Sequence, residues 1–149
     1  MNASSELYEQ DFYAWTQVQT ATLRAGDLTA LDLVNLADEI DSMGIRQRTE
    51  LKNRLRVLLL HLLKWRFQPA ARSSGWEGSI DEQRSQLEIL LEDSPSLARL
   101  LPEALAAVYP KARRTASRET RLPLSAFPET CPFTLEQVLD DDFWPEDKL

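Results

Sequence analysis

Between Arg54 and Pro69 the chain reads RLRVLLLHLLKWRFQP, and the seven residues from Val57 to Leu63 are apolar except for His61. A helix apolar on nearly all sides has to be wrapped by other helices or by lipid. The run falls far short of the roughly 20 residues a membrane span needs. It predicts the central strut of a helical bundle, carrying His61 inside. Leu51, Leu55, Leu58, Leu62 and Trp65 add an apolar seam at heptad-like spacing, so this third helix is expected from about Ile45 to Gln68, stopped by Pro69.

The flanking segments repeat the helical period. Asp11 is placed to cap a first helix with Phe12, Trp15 and Leu23 inward, closing near Arg24 before Gly26. Asp27 or Asp32 opens a second, with Leu33, Leu36, Ala37 and Ile40 on one face and Gly44 as its stop. After the loop PAARSSGWEGS, Ser79 with Glu82 three residues on reads as the capping box of a fourth helix, which buries Ile80, Leu87, Leu90 and Leu91. Ser94-Pro95 starts a fifth, and Pro102 and Pro110 predict kinks or a short helix followed by a longer one. Pro123, Pro128 and Pro132 impose an extended strap, and Thr134 with Gln137 caps a short helix to about Asp140. Phe143 and Trp144 then suggest that the tail folds back onto the bundle. The expected fold class is all-α: a single helical domain over 1–149, with five or more helices over about 7–119 and a docked C-terminal strap over about 120–149.

Composition agrees with a compact chain, since 43% of its 149 residues are apolar and only four are glycine. Cys131 is the one cysteine, which excludes an intramolecular disulfide, reads as a small packed side chain, and suits a reducing cytoplasm. No apolar signal-peptide core precedes Arg24. Charge is segregated: eight acids and one Arg from Glu6 to Asp41, eight cations and one Glu from Arg46 to Arg72, five cations and one Glu from Lys111 to Arg121, and an acidic tail. Complementary blocks within one fold explain this better than a phosphate-binding face, given the net charge of −7.

Several segments together carry a family resemblance. They include DFYAW (11–15), NLADEIDSMG (35–44), HLLKWRFQP (61–69), Trp76 with Ile80 and Arg84, SPSL (94–97), Tyr109 with Ala112 and Ala116, ETRLP (119–123) and FPETCPFTLEQVLDDDFWPE (127–146). In order and spacing, from Leu7 to Glu146, the chain resembles a bacterial family known as domain of unknown function 29. Asp38 stands where that family usually has Glu, and Gly75 and Ser79 where it has Ser and Thr. The resemblance implies an all-helical fold and no established activity.

Three residues are candidates for chemistry. His61 is a residue type suited to acid/base work, and Glu50 and Arg54 share its flank of the third helix. Glu119 extends the small-residue stripe of Tyr109, Ala112 and Ala116, and Glu39 sits one turn from Asn35. Convergence of Glu39, His61 and Glu119 would make an acid/base cluster or, in the structural reading, a buried polar network balanced by Arg54 or Arg84. Arg56 and His61 also match the R-x4-6-H spacing of HEPN-type RNA-cleaving nucleases. That resemblance rests on two residues, which point about 140° apart on an ideal helix. Binding, if any, falls to Arg54, Trp76 and Arg84. One His and one Cys cannot build a two-His metal site, and no Glu-x-x-His pair exists; no metal or cofactor is expected.

The functional expectation is a cytoplasmic interaction or regulatory module with a buried polar network, binding another protein or a second copy of itself. Membrane is excluded as a partner, and nucleic acid ranks behind protein. The alternatives are a hydrolase, such as a nuclease, using His61 with Glu39 or Glu119, and a partner of a toxin-type protein.

Overall fold

The computed structural model describes residues 3–146. Among them it is all-helical, with no strand. Six α-helices run in order: α1 Ala3–Gln10, α2 Phe12–Ala25, α3 Leu33–Phe67, α4 Ser74–Asp93, α5 Leu101–Thr120 and α6 Leu135–Leu139. The chain divides into two compact units, 1–47 and 48–149, and α3 runs through both ranges. No helix among the described residues is long and apolar enough to cross a membrane. Residues 147–149 of the expected strap lie outside the described residues.

In the first unit, Asp11 caps α2 by accepting from the Ala14 amide at 3.0 Å, as its position predicts. Gly26 ends α2 in the left-handed region at φ 72°, and its amide reaches back to the Leu23 carbonyl. The expected break at Gly44 does not occur. Gly44 is helical, and the second and third predicted helices are one continuous 35-residue α3. A glycine ends a helix by taking positive φ; one left in helical geometry costs only about 1 kcal/mol against alanine, and propagation carries the helix through.

The second unit holds the main core. Leu51, Leu55, Leu58, Leu59, Leu62 and Leu63 of α3 are fully buried and join Ile80 and Leu87 of α4 and Ala112 and Ala116 of α5 in one cluster. Small side chains on α5 share this cluster with the leucines of α3. His61 is only half-buried, which corrects the expectation that α3 would carry it inside: the leucines flanking it face the core, and the imidazole lies toward the edge.

Helix α4 begins a turn and a half earlier than the Ser79 capping box predicts. Ser73 is its N-cap, accepting from the Trp76 amide at 3.2 Å, so the expected glycine-rich loop around Trp76 is the first turn of the helix. A six-residue 3-10 helix, Pro95–Leu100, precedes α5, and α5 then passes uninterrupted through Pro110. Thr134 and Gln137 form the predicted capping box of α6.

The strap docks as the aromatic tail suggests. Arg113 forks onto the Phe127 and Leu124 carbonyls at 2.9–3.1 Å, and the Tyr109 hydroxyl donates to the Pro128 carbonyl at 2.6 Å. Trp144 packs on Trp65 with centroids 4.7 Å apart.

Candidate functional site

The first unit is organised around a carboxylate. Asp32, 4% exposed, directly precedes α3. It accepts from the Trp15 indole at 3.0 Å, the Asn35 side-chain amide at 2.8 Å and the Ser5 hydroxyl at 3.5 Å. Its own amide donates to the Gln19 side-chain oxygen at 2.9 Å. Burial alone would raise the Asp32 pKa, but the hydrogen bonds led by Asn35 and Trp15 outweigh it and hold the carboxyl below its ordinary value. One residue thus ties α1, α2 and α3 together.

One face of the same unit is uncovered. Phe12, Trp15 and Leu23 of α2 and Leu36, Ile40 and Met43 of α3 line a groove of about 340 Å³. Leu36, Ile40 and Met43 recur at helical spacing, so the predicted apolar stripe is there. Its cover is missing: Ile40 is 66% exposed and Met43 56%. Leu33, expected inward, is exposed as well. Glu39 and Arg46 flank this stripe. Gln19 borders the groove too, and its orientation is fixed by the bond from the Asp32 amide. Its Nε2 donor is buried with no partner among the described residues.

Each residue that the sequence nominates has a partner of its own. Glu39 accepts from the Tyr8 hydroxyl at 2.6 Å within the first unit. His61 donates from Nδ1 to the Val57 carbonyl at 2.8 Å. Glu119 pairs with Lys64 at 3.6 Å, and the Lys64 ammonium lies 4.7 Å from the centroid of the Trp76 ring. Arg54 reaches Glu50 at 3.6 Å and Gln83 at 3.4 Å. Arg84 is 2% exposed, donating to the Val138 and Gln137 carbonyls at 2.9 and 3.2 Å. His61 and Glu119 therefore sit in separate interactions within the second unit. Arg56 and His61 lie on an uninterrupted stretch of α3, without the distortion that would bring them together.

In the second unit, a hollow of about 530 Å³ beside Arg84 is lined by Glu88, Glu92 and Asp140–Asp142. Among the described residues no three His, Cys, Asp or Glu side chains gather to hold a metal ion.

Sequence reading missed Asp32 as a hub, although Asp32-x-x-Asn35 at a helix start is a recognisable capping pattern. Tyr8 was missed as well. The hydrogen bond to Glu39 is the main reason its pKa is pushed up to about 12, while burial pushes Tyr109 to about 12. A raised tyrosine pKa means that the contact is at full strength below about pH 10 and is lost as pH climbs toward 12. In a phenolate absorbance titration, Tyr8→Phe and Tyr109→Phe should each delete one late-ionising group, and Glu39→Gln should bring Tyr8 back toward 10. An unchanged high-pH limb in Tyr8→Phe would refute the Tyr8 assignment.

No curated protein and no solved structure matches the chain. The pieces that the sequence shares with a helical family do extend over nearly all of it. Residues 7–144 match the family model described as "Domain of unknown function DUF29", and the chain belongs to that family.

Proposed function

We propose that the protein is an interaction module whose N-terminal unit presents a docking groove for a protein partner. The observation that carries this reading is the uncovered apolar stripe of α3 opposite α2, with Ile40 and Met43 more than half exposed. At about 25 cal/mol per Å² of apolar surface removed from water, covering such a stripe contributes several kcal/mol to association. An amphipathic helix is the natural occupant of a groove formed by two helices. A cytoplasmic setting goes with the reading: the lone Cys131 is half-buried, and burial pushes its thiol pKa up, away from reactivity.

The test places a photo-crosslinking residue at Ile40 in the full chain, with Ile89, exposed in the second unit, as control. A discrete protein adduct at position 40 and none at 89 is expected in cells expressing the chain. Equal labelling at both positions, or none at 40, would refute the docking role.

A further inference from the structure

We infer that a second copy of this chain fills the groove, with its α3 antiparallel to the first. The inference rests on the docking reading above and names the occupant. The flanks of the stripe carry the argument. Leu36, Ile40 and Met43 occupy one face of α3 at four- and three-residue spacing, and Glu39 and Arg46 lie seven residues apart along one edge of it. A single anionic or cationic partner helix satisfies one of these charges and opposes the other. An antiparallel copy of α3, related by a two-fold axis near Met43, meets both: Glu39 of each copy faces Arg46 of the other, so the surface is self-complementary. The wider charge order agrees, with Asp38, Glu39 and Asp41 before Met43 and Arg46 and Arg48 after it. Glu39 uses Oε1 for Tyr8, leaving Oε2 for the guanidinium.

Gly44 fits the same arrangement. It stands mid-helix with nothing within 4 Å of a β-carbon placed on it, so no packing among the described residues explains a residue that weakens the helix. At a crossing near Met43 its missing side chain lets a second helix come close. Phe12 and Leu23 of α2, each about half exposed, then cover the ends of the partner helix. The product is a four-helix arrangement of α2 and α3 from each copy.

Sedimentation equilibrium of the purified full chain, from about 1 to about 100 µM, tests this. The parent is expected at twice the chain mass. Met43→Asp and Ile40→Asp, at positions already exposed to water, are expected at the single-chain mass with unchanged far-UV circular dichroism. Arg46→Glu should weaken association about tenfold, equivalent to about 1.4 kcal/mol. Glu39→Lys combined with Arg46→Glu should recover it. A parent of single-chain mass at the highest concentration overturns the inference, as does a doubled mass that Met43→Asp and Ile40→Asp leave intact or that Arg46→Glu leaves undiminished. The two readings fail separately: a single-copy parent that still gives a foreign adduct at Ile40 keeps the docking groove and removes the second copy.

Discussion

Replacing Asp32 by alanine is expected to unravel the N-terminal unit while the second unit stays folded. The carboxylate takes hydrogen bonds from Trp15, Asn35 and Ser5, and its loss strands the Trp15 indole donor in a buried position. Hydrogen bonds to a charged group contribute about 1.5–3 kcal/mol each, and an orphaned donor costs about 1–3 kcal/mol, so a loss of about 3 kcal/mol is expected. The unit has few other anchors: within it, Trp15 and Leu31 are the buried apolar side chains among the described residues. Hydrogen-exchange mass spectrometry should show protection collapsing across α1, α2 and the start of α3 and persisting in α4 and α5. Protection that falls equally in both units, or in neither, would remove Asp32 from its role as hub.

The same carboxylate gives the unit an acid limit. Because the folded pKa of Asp32 lies below its unfolded value of 3.8, its contribution is complete above about pH 4 and is lost as pH falls through the folded pKa. Asp32→Asn keeps the shape, forfeits the charge, and should flatten that acid limb. Loss of this unit also removes the groove, so Asp32→Ala should abolish the Ile40 adduct without touching the lining residues.

The second large effect falls at the other end of the chain. Arg84→Ala should release α6 and the tail beyond it. Arg84 is buried in α4 and holds the Val138 and Gln137 carbonyls, while its guanidinium lies 5.8 Å from the Trp144 ring centroid. Truncation takes the Arg84 donor from the buried Val138 carbonyl and one of two donors from the Gln137 carbonyl, which the Asp140 amide still reaches at 3.3 Å, at about 2 kcal/mol or more. Arg84→Lys should recover only part of it, because an ammonium cannot reproduce the planar fork. Urea unfolding would give the magnitude, and limited proteolysis beyond Arg121 would report the released strap. A strap that resists cleavage in Arg84→Ala, with stability within about 0.5 kcal/mol of the parent, would show that the aromatic contacts of Trp65 and Trp144 suffice.

Much of this architecture is legible in the amino-acid sequence, and the contrast between two glycines shows where legibility stops. Gly26 and Gly44 both follow an apolar helical stripe, and both invite the reading of a helix end. Gly26 takes φ 72° and ends α2; Gly44 stays helical and α3 continues. Ser73 against Ser79 is a similar case: both are plausible caps, and the one that starts α4 is the earlier, which brings Trp76 into its first turn beside Lys64. Nearest-neighbour chemistry offers both options at each of these positions.

The candidate residues divide in the same way. His61, Glu39 and Glu119 are conspicuous by type, yet their bonds go to Val57, Tyr8 and Lys64 respectively. The first of these is a local turn of helix, legible in principle. The other two link segments far apart in sequence, which no periodicity encodes. The groove is half legible: the stripe of Leu36, Ile40 and Met43 is visible as a pattern, while its exposure is not.

The sequence by itself determined the helical class, the leucine-rich α3 with its buried seam, the caps at Asp11 and Thr134 and the strap imposed by prolines. All of these follow from spacing and from backbone chemistry within a few residues. Only the tertiary structure decided that α3 is unbroken, that Asp32 binds three helices, that His61 stays near the surface and that one apolar face has no cover. Those depend on which distant side chains remove a given surface from water, and burial is a property of the assembled chain rather than of any segment.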